Sequence, residues 1–223
     1  MDCIDCPYKS QCFEKLNKSE LQYINSSKKQ VNYRKGETIY KQGSFSSHIM
    51  FIVEGYAKKY VEGKGGNDYT LNILKPNEFI GLSSLFCTKE YCYCSVSALT
   101  NTTVCLIKKE DFKKLIAENN SFAQEIIKWY CQNEEYIFKK FTSMNDKNTT
   151  GRLAEVLLYL SSKEYDDLDT HISRKVLSEF AGISLESTIR ILSELKKDKI
   201  IATDGKKIEI LDLDKLKSIS KNG

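Results

Sequence analysis

The sequence predicts an α+β chain built as a β-rich N-terminal part, one long helix, and a C-terminal helix-turn-helix followed by a hairpin. Three observations carry this reading. Between 31 and about 107, short runs of β-branched and aromatic residues alternate with Gly-, Asn- and Pro-bearing breaks, at the spacing of a sandwich or barrel. From 110 to 144 there is neither Gly nor Pro. From 173 to 210, two short amphipathic segments flank an Ala-Gly turn, and a hairpin pattern around Asp-Gly follows.

The 223 residues are 41% hydrophobic and 29% charged, ordinary proportions for a globular chain. Apolar runs such as 49–53 are far too short to span a membrane. Met-Asp-Cys-Ile-Asp-Cys at the start lacks the basic and apolar regions of a secretory signal, so a cytoplasmic protein with reduced thiols is expected. Eight cysteines are many for such a chain, and Cys3, Cys6 and Cys12 crowd its first twelve residues. Cys is ordinarily buried, so this placement suits metal ligation better than packing. Residues 1–30 therefore form a cysteine-bearing segment, with a short helix over 13–30 around Leu21 and Ile24. Residues 31–109 form the β part, with strand-like runs at 38–40, 49–53, 69–74, 95–99 and 102–107.

The long helix is expected over 110–144. Phe122, Ile126, Tyr130, Asn133, Ile137 and Met144 fall near a heptad spacing, interrupted at Lys140. They predict a homodimer seam with Asn133 as a register-setting polar pair; packing of the same face on the chain's own β part is the alternative. The polar stretch 145–151 marks a domain boundary, and 145–223 is the last domain. It opens with a helix bearing Leu153, Val156, Leu157 and Leu160 on one face, and an acidic loop at 164–169 follows.

Within 173–210, Ser173 and Ser184 are N-cap candidates and Gly182 supplies positive φ. Thr188, Ile191, Leu192 and Leu195 face inward. Glu186, Arg190, Ser193 and Lys197 share the opposite face. Arg can donate twice to guanine, Glu can accept from cytosine, and Ile189 could touch a thymine methyl. Lys206 and Lys207 at the hairpin tip suit phosphates. Residues 173–207 carry eight basic and five acidic side chains, a local excess within a domain that is neutral overall. The candidate DNA-binding residues are thus Ser173, Arg174, Ser184, Leu185, Glu186, Ile189, Arg190, Lys206 and Lys207, and the segment reads as a winged helix. A solvated Glu186–Arg190 pair on a plain helical hairpin is the alternative.

The whole chain resembles the CRP/FNR family of bacterial transcription regulators. The resemblance rests on Lys35-Gly36-Glu37-Thr38-Ile39-Tyr40-Lys41-Gln42-Gly43, on Phe51-Ile52-Val53-Glu54-Gly55-Tyr56-Ala57-Lys58, on Pro76-Asn77-Glu78-Phe79-Ile80-Gly81, and on Glu186 with Arg190. It implies a cyclic-nucleotide-binding-like β-roll, a long dimerisation helix, and a C-terminal winged helix-turn-helix on double-stranded, near-palindromic DNA beside RNA polymerase. It departs from the cyclic-AMP branch, which holds its nucleotide through a Gly-Glu pair and an Arg ten residues later. Gly81 is followed by Leu82, and Cys92 stands where that Arg would be, so no cyclic nucleotide is expected. Cys3-x2-Cys6-x5-Cys12 resembles the ligand spacing of FNR-type oxygen sensors. Cys105, in the last strand before the long helix, matches their fourth ligand. The resemblance implies a [4Fe–4S] cluster on Cys3, Cys6, Cys12 and Cys105. Zinc on the same thiols, direct thiol chemistry, and a small effector in the β-roll remain open alternatives. No phosphate loop, nucleophile elbow or paired histidines are found, and His48 and His171 are isolated, so an enzyme is not expected.

Overall fold

The computed structural model describes residues 3–6, 10–87, 91–162, 165 and 172–223. The acidic loop, apart from Tyr165, and His171 lie outside the described residues. The chain divides into two compact units, Met1–Lys59 with Ile73–Tyr136, and Tyr60–Asn72 with Ile137–Gly223. Among the described residues no helix is long and apolar enough to cross a membrane.

A single 3-10 turn, Phe13–Lys15, precedes α1 (Lys18–Ser27). The helix starts later than the sequence suggests because Asn17 builds a capping box. Its side chain accepts from the Glu20 amide at 3.0 Å, and the Glu20 carboxylate accepts from the Asn17 amide at 2.7 Å. Eight strands follow: β1 (Lys29–Tyr33), β2 (Thr38–Tyr40), β3 (His48–Glu54), β4 (Ala57–Val61), β5 (Tyr69–Leu74), β6 (Phe79–Ile80), β7 (Ser95–Ala98) and β8 (Thr102–Lys108). They form two four-stranded sheets, ordered β1-β8-β3-β6 and β2-β7-β4-β5.

Strand β3 is apolar on both faces, and alternation sorts its side chains. Met50 and Ile52 enter one apolar cluster with Ile39, Ile80, Val96 and Val104. Ile49, Phe51 and Val53 enter a second, with residues of α1, Phe13, Phe79 and Cys105. Cys105 stands opposite Phe51 in the β3–β8 ladder, so its thiol lies on the face covered by helices.

The long helical stretch is broken once, into α2 (Lys109–Glu118) and α3 (Asn120–Asp146). Asn119 makes the break: its backbone leaves helical geometry, and its side-chain oxygen accepts from the Phe122 amide at 2.9 Å.

The structure departs from the expected dimer seam at Phe122 and Ile126. Phe122 is fully buried and Ile126 is 7% exposed, both within the second cluster. Phe122 meets Phe112 at 5.4 Å and Phe13 at 6.1 Å between ring centroids. That face is therefore covered by the chain's own roll. Asn133 and Ile137 are half-buried, and the Asn133 side chain donates back to the Trp129 carbonyl at 3.0 Å. The bare apolar side chains of α3 include Ile127, Phe138 and Phe141, 62%, 63% and 68% exposed. With Cys131, Glu134 and Asn145, also exposed, they repeat at four- and three-residue steps. The open stripe is the expected one moved by one residue. Tyr130 and Met144 are also exposed and flank it.

In the second unit, α4 (Thr149–Leu160) starts at Asn148, whose side chain accepts from the Thr150 and Gly151 amides. Then come α5 (Arg174–Ala181), α6 (Leu185–Lys197), the hairpin β9 (Ile201–Asp204) and β10 (Lys207–Ile210), and α7 (Leu213–Asn222), which the sequence reading did not anticipate. The end of α6 is a Schellman motif. Ile200 N donates to Leu195 O at 2.9 Å and Lys199 N to Lys196 O at 3.1 Å, with Lys199 at φ 56°. A side chain in that region is strained, so Lys199→Gly is expected to raise stability by about 1 kcal/mol in urea unfolding. An unchanged midpoint would show that the strain is absorbed elsewhere.

Candidate nucleic-acid interface

Helix α5, its turn and α6 form as the residue pattern requires. Ser173 accepts from the Val176 amide at 3.2 Å and Ser184 from the Ser187 amide at 3.0 Å, so both helices are side-chain capped. Gly182 closes α5 at φ 62°, and Met144 Cε lies 3.0 Å from where its Cβ would stand. Thr188, Ile191, Leu192 and Leu195 are buried. This fixes the rotation of α6 and leaves Leu185, Glu186, Ile189, Arg190, Ser193 and Lys197 outward. Leu185 and Ile189 are 44% and 54% exposed. Large apolar side chains one turn apart on an exposed helix are costly to leave in water.

Arg190 pairs with Glu194 at 2.8 Å, both well exposed, and not with Glu186. An exposed pair of this kind contributes at most about 1 kcal/mol, so Arg190 is released at little cost. Lys206 and Lys207 stand exposed at the hairpin tip. Arg174 does not stand free beside them: its guanidinium reaches the tip's backbone, with Nη1 3.1 Å from Lys206 O and Nη2 3.1 Å from Gly205 O.

Cys12 and Cys105 lie in one apolar cluster, and Cys92 lies in the other. Burial raises the Cys105 thiol above its ordinary pKa, Lys28 opposes this, and Cys3 and Cys6 push it further up. Cys12 is buried in the same cluster as Cys105, beside Phe13, hydrogen-bonded to Ser10 and in the field of Glu125 and Lys128. Among the described residues no three His, Cys, Asp or Glu side chains stand together as a metal cage. Cys12 and Cys105 are buried in one apolar cluster and Cys3 packs against it, without the thiols closing on one another as a ligand set. In donor type the set suits an iron–sulfur cluster.

Residues 30–119 match the Cyclic nucleotide-binding domain family, and residues 151–219 match the Crp-like helix-turn-helix domain. The transcriptional activator protein FnrA of Stutzerimonas stutzeri is 22% identical over 218 residues, 94% of this chain and 88% of the relative. The cAMP-activated global transcriptional regulator CRP of Salmonella typhimurium is 25% identical over 183 residues, 80% of this chain and 87% of the relative. A putative regulator of the crp/fnr family from Eubacterium rectale has the same fold, with a TM-score of 0.79 at 18% identity, over 96% of this chain and 99% of that one. The chain belongs to the CRP/FNR family of transcription regulators.

As a CRP/FNR protein it is a DNA-binding regulator and not an enzyme. Its roll is filled in its own way. Leu82 is buried, and Cys92, 2% exposed, is hydrogen-bonded to Tyr40. Burial and that thiol push the Tyr40 phenol up to about 12. The Tyr40 hydroxyl also lies 3.2 Å from Ser84 Oγ. Burial likewise raises the Cys92 and Cys94 thiols, which keeps them protonated and poorly nucleophilic at neutral pH.

Two cations of this CRP/FNR chain escape a reading of the sequence. Lys109, 5% exposed, donates to Ser84 O at 3.3 Å. Lys140 lies over the Phe180 ring at 3.9 Å and donates to Phe180 O at 2.8 Å. The interruption that Lys140 makes in the heptad was the only signal for either.

Proposed function

We propose that this regulator binds a near-palindromic DNA site as a cytoplasmic homodimer beside RNA polymerase, and that a [4Fe–4S] cluster on Cys3, Cys6, Cys12 and Cys105 sets its DNA affinity. The observation that carries the redox half is the cysteine spacing, with Cys105 in β8 just before the long helical stretch. The FnrA-like relatives support it. When bound, such a cluster supplies an oxygen-labile thiolate tether.

The chain's own residues supply the coupling. Ligation by Cys12 requires its thiol to leave the core. The next residue, Phe13, packs on Phe51, on Phe79 and on Phe122 of α3, at centroid distances of 5.1, 5.5 and 6.1 Å. Movement at Cys12 is therefore felt at the start of α3. In the dimer, the stripe Ile127, Cys131, Glu134, Phe138, Phe141 and Asn145 faces the same stripe of a second copy, as its heptad steps and exposed phenylalanines favour.

Anaerobic purification is expected to give a brown protein with about four irons and four sulfides per chain that bleaches in air. Cys105→Ser should abolish iron loading, whereas Cys131→Ser should retain it. Equal iron in the two variants would reject the ligand set, and a colourless protein after anaerobic reconstitution would reject the cluster.

On DNA, Glu186 and Arg190 read base edges, and Leu185 and Ile189 lie against thymine methyls in the major groove. Ser173 and Ser184 lie at helix N-termini that face the backbone. Arg190→Ala is expected to cost about 1–3 kcal/mol of specific binding and to relax discrimination at one position of the half-site. Unchanged discrimination in a competition gel shift would remove Arg190 from base reading.

A further inference from the structure

The fork that Arg174 makes with the wing has a particular geometry. Its two acceptors, Gly205 O and Lys206 O, belong to the two residues that link β9 to β10. The ladder closes at the Asp204–Lys207 pair, so these carbonyls lie beyond its cross-strand bonding. Guanidinium N–H groups lie in one plane, and two of them match two adjacent carbonyls; a lysine ammonium cannot make the same fork.

Nothing else in the helix invites this cation. Arg174 is the first residue of α5, where the helix dipole disfavours positive charge, and the first turn of α5 holds no acidic residue. Burial lowers the guanidinium's pKa from its ordinary value, a cost accepted in exchange for the two carbonyls. A two-stranded hairpin is marginal by itself, so the position of its tip depends on what holds it.

We infer that Arg174 is a positioning residue: it pins the wing tip to the first helix of the helix-turn-helix and so sets where Lys206 and Lys207 meet the DNA backbone, without itself being a phosphate ligand. This rests on the reading of the module as a DNA binder with its wing lysines on phosphates.

Two readouts on the full-length protein test it. The first is amide hydrogen exchange of residues 201–210 in the absence of DNA. Arg174→Ala is expected to speed exchange there about tenfold or more, with α4 and α6 unchanged, and Arg174→Lys is expected not to restore protection. Unchanged exchange in the wing overturns the pin. The second is the salt dependence of affinity for a mixed-sequence DNA duplex, since phosphate contacts are independent of sequence. The Lys206→Ala/Lys207→Ala double variant is expected to flatten the slope of log K against log salt by about 2. Arg174→Ala should reproduce that loss and add nothing in the triple variant. A further loss of about one unit in the triple variant would make Arg174 a phosphate ligand and overturn the inference. An unchanged slope in the lysine double variant overturns the delivery of those lysines to phosphate, and the exchange result then decides the pin alone.

Discussion

Phe122→Ala is expected to cost about 3–5 kcal/mol of stability, because it empties a fully buried site between Phe13 and Phe112 that the surrounding rings cannot refill. The loss should appear as a lower midpoint in chemical denaturation of the N-terminal unit. Phe141→Glu, at a side chain 68% exposed, should behave in the opposite way. It is expected to leave folding within about 0.5 kcal/mol and to dissociate the proposed dimer in sedimentation experiments. If instead Phe122→Ala left stability untouched and dissociated the protein, the seam through Phe122 and Ile126 would be restored.

Lys140 is expected to give the C-terminal unit a distinctive dependence on pH. Burial pulls its ammonium down to about 7, with Glu155 opposing the shift. Glu155 is itself engaged by Lys147 at 3.2 Å and by the Ser143 hydroxyl. In the unfolded chain the amine holds its proton until about 10.5. Between these values the unfolded state binds more protons, so this group's contribution to stability rises with pH. Below pH 7 both states are protonated and the folded state carries the whole penalty. From pH 7 to 9 the relief is roughly 2 kcal/mol. Lys140→Met should lack this slope, so denaturation of the two proteins at pH 7 and 9 isolates it. Parallel pH profiles would mean that the Phe180 ring and carbonyl hold the charged form as well as water does.

Much of the fold was legible because its determinants are local. Ser173, Gly182 and Ser184 mark the ends of α5 and the start of α6 by capping chemistry that reads directly from residue type. The Asp-Gly pair marks the wing in the same way. The burial of Phe122 and Ile126 was not legible because α3 carries two adjacent apolar faces. Ile126 and Ile127 differ by one step, and hydrophobicity alone does not say which is buried by the chain itself. The break at Asn119 was missed because Asn ends one helix and caps the next without any Gly or Pro. The Arg174 fork and the Lys140 bridge were beyond reach because their acceptors are backbone carbonyls, 31 and 32 residues away for Arg174 and 40 for Lys140. The cysteine spacing pointed to a shared site, yet it could not show that Phe13 anchors the neighbouring Cys12 in an aromatic cluster.

That anchoring has a consequence for how the protein can change. The residue that follows Cys12 is a wall of the hydrophobic interior, in contact with two strands and the long helix. A substitution that loosens Phe13 to make the thiol easier to recruit also removes aromatic burial from the fold. A larger side chain that tightens the packing also locks Cys12 in place. The threshold of any signal received through Cys12 and the durability of the protein are therefore inherited together, and selection acting on one of them moves the other.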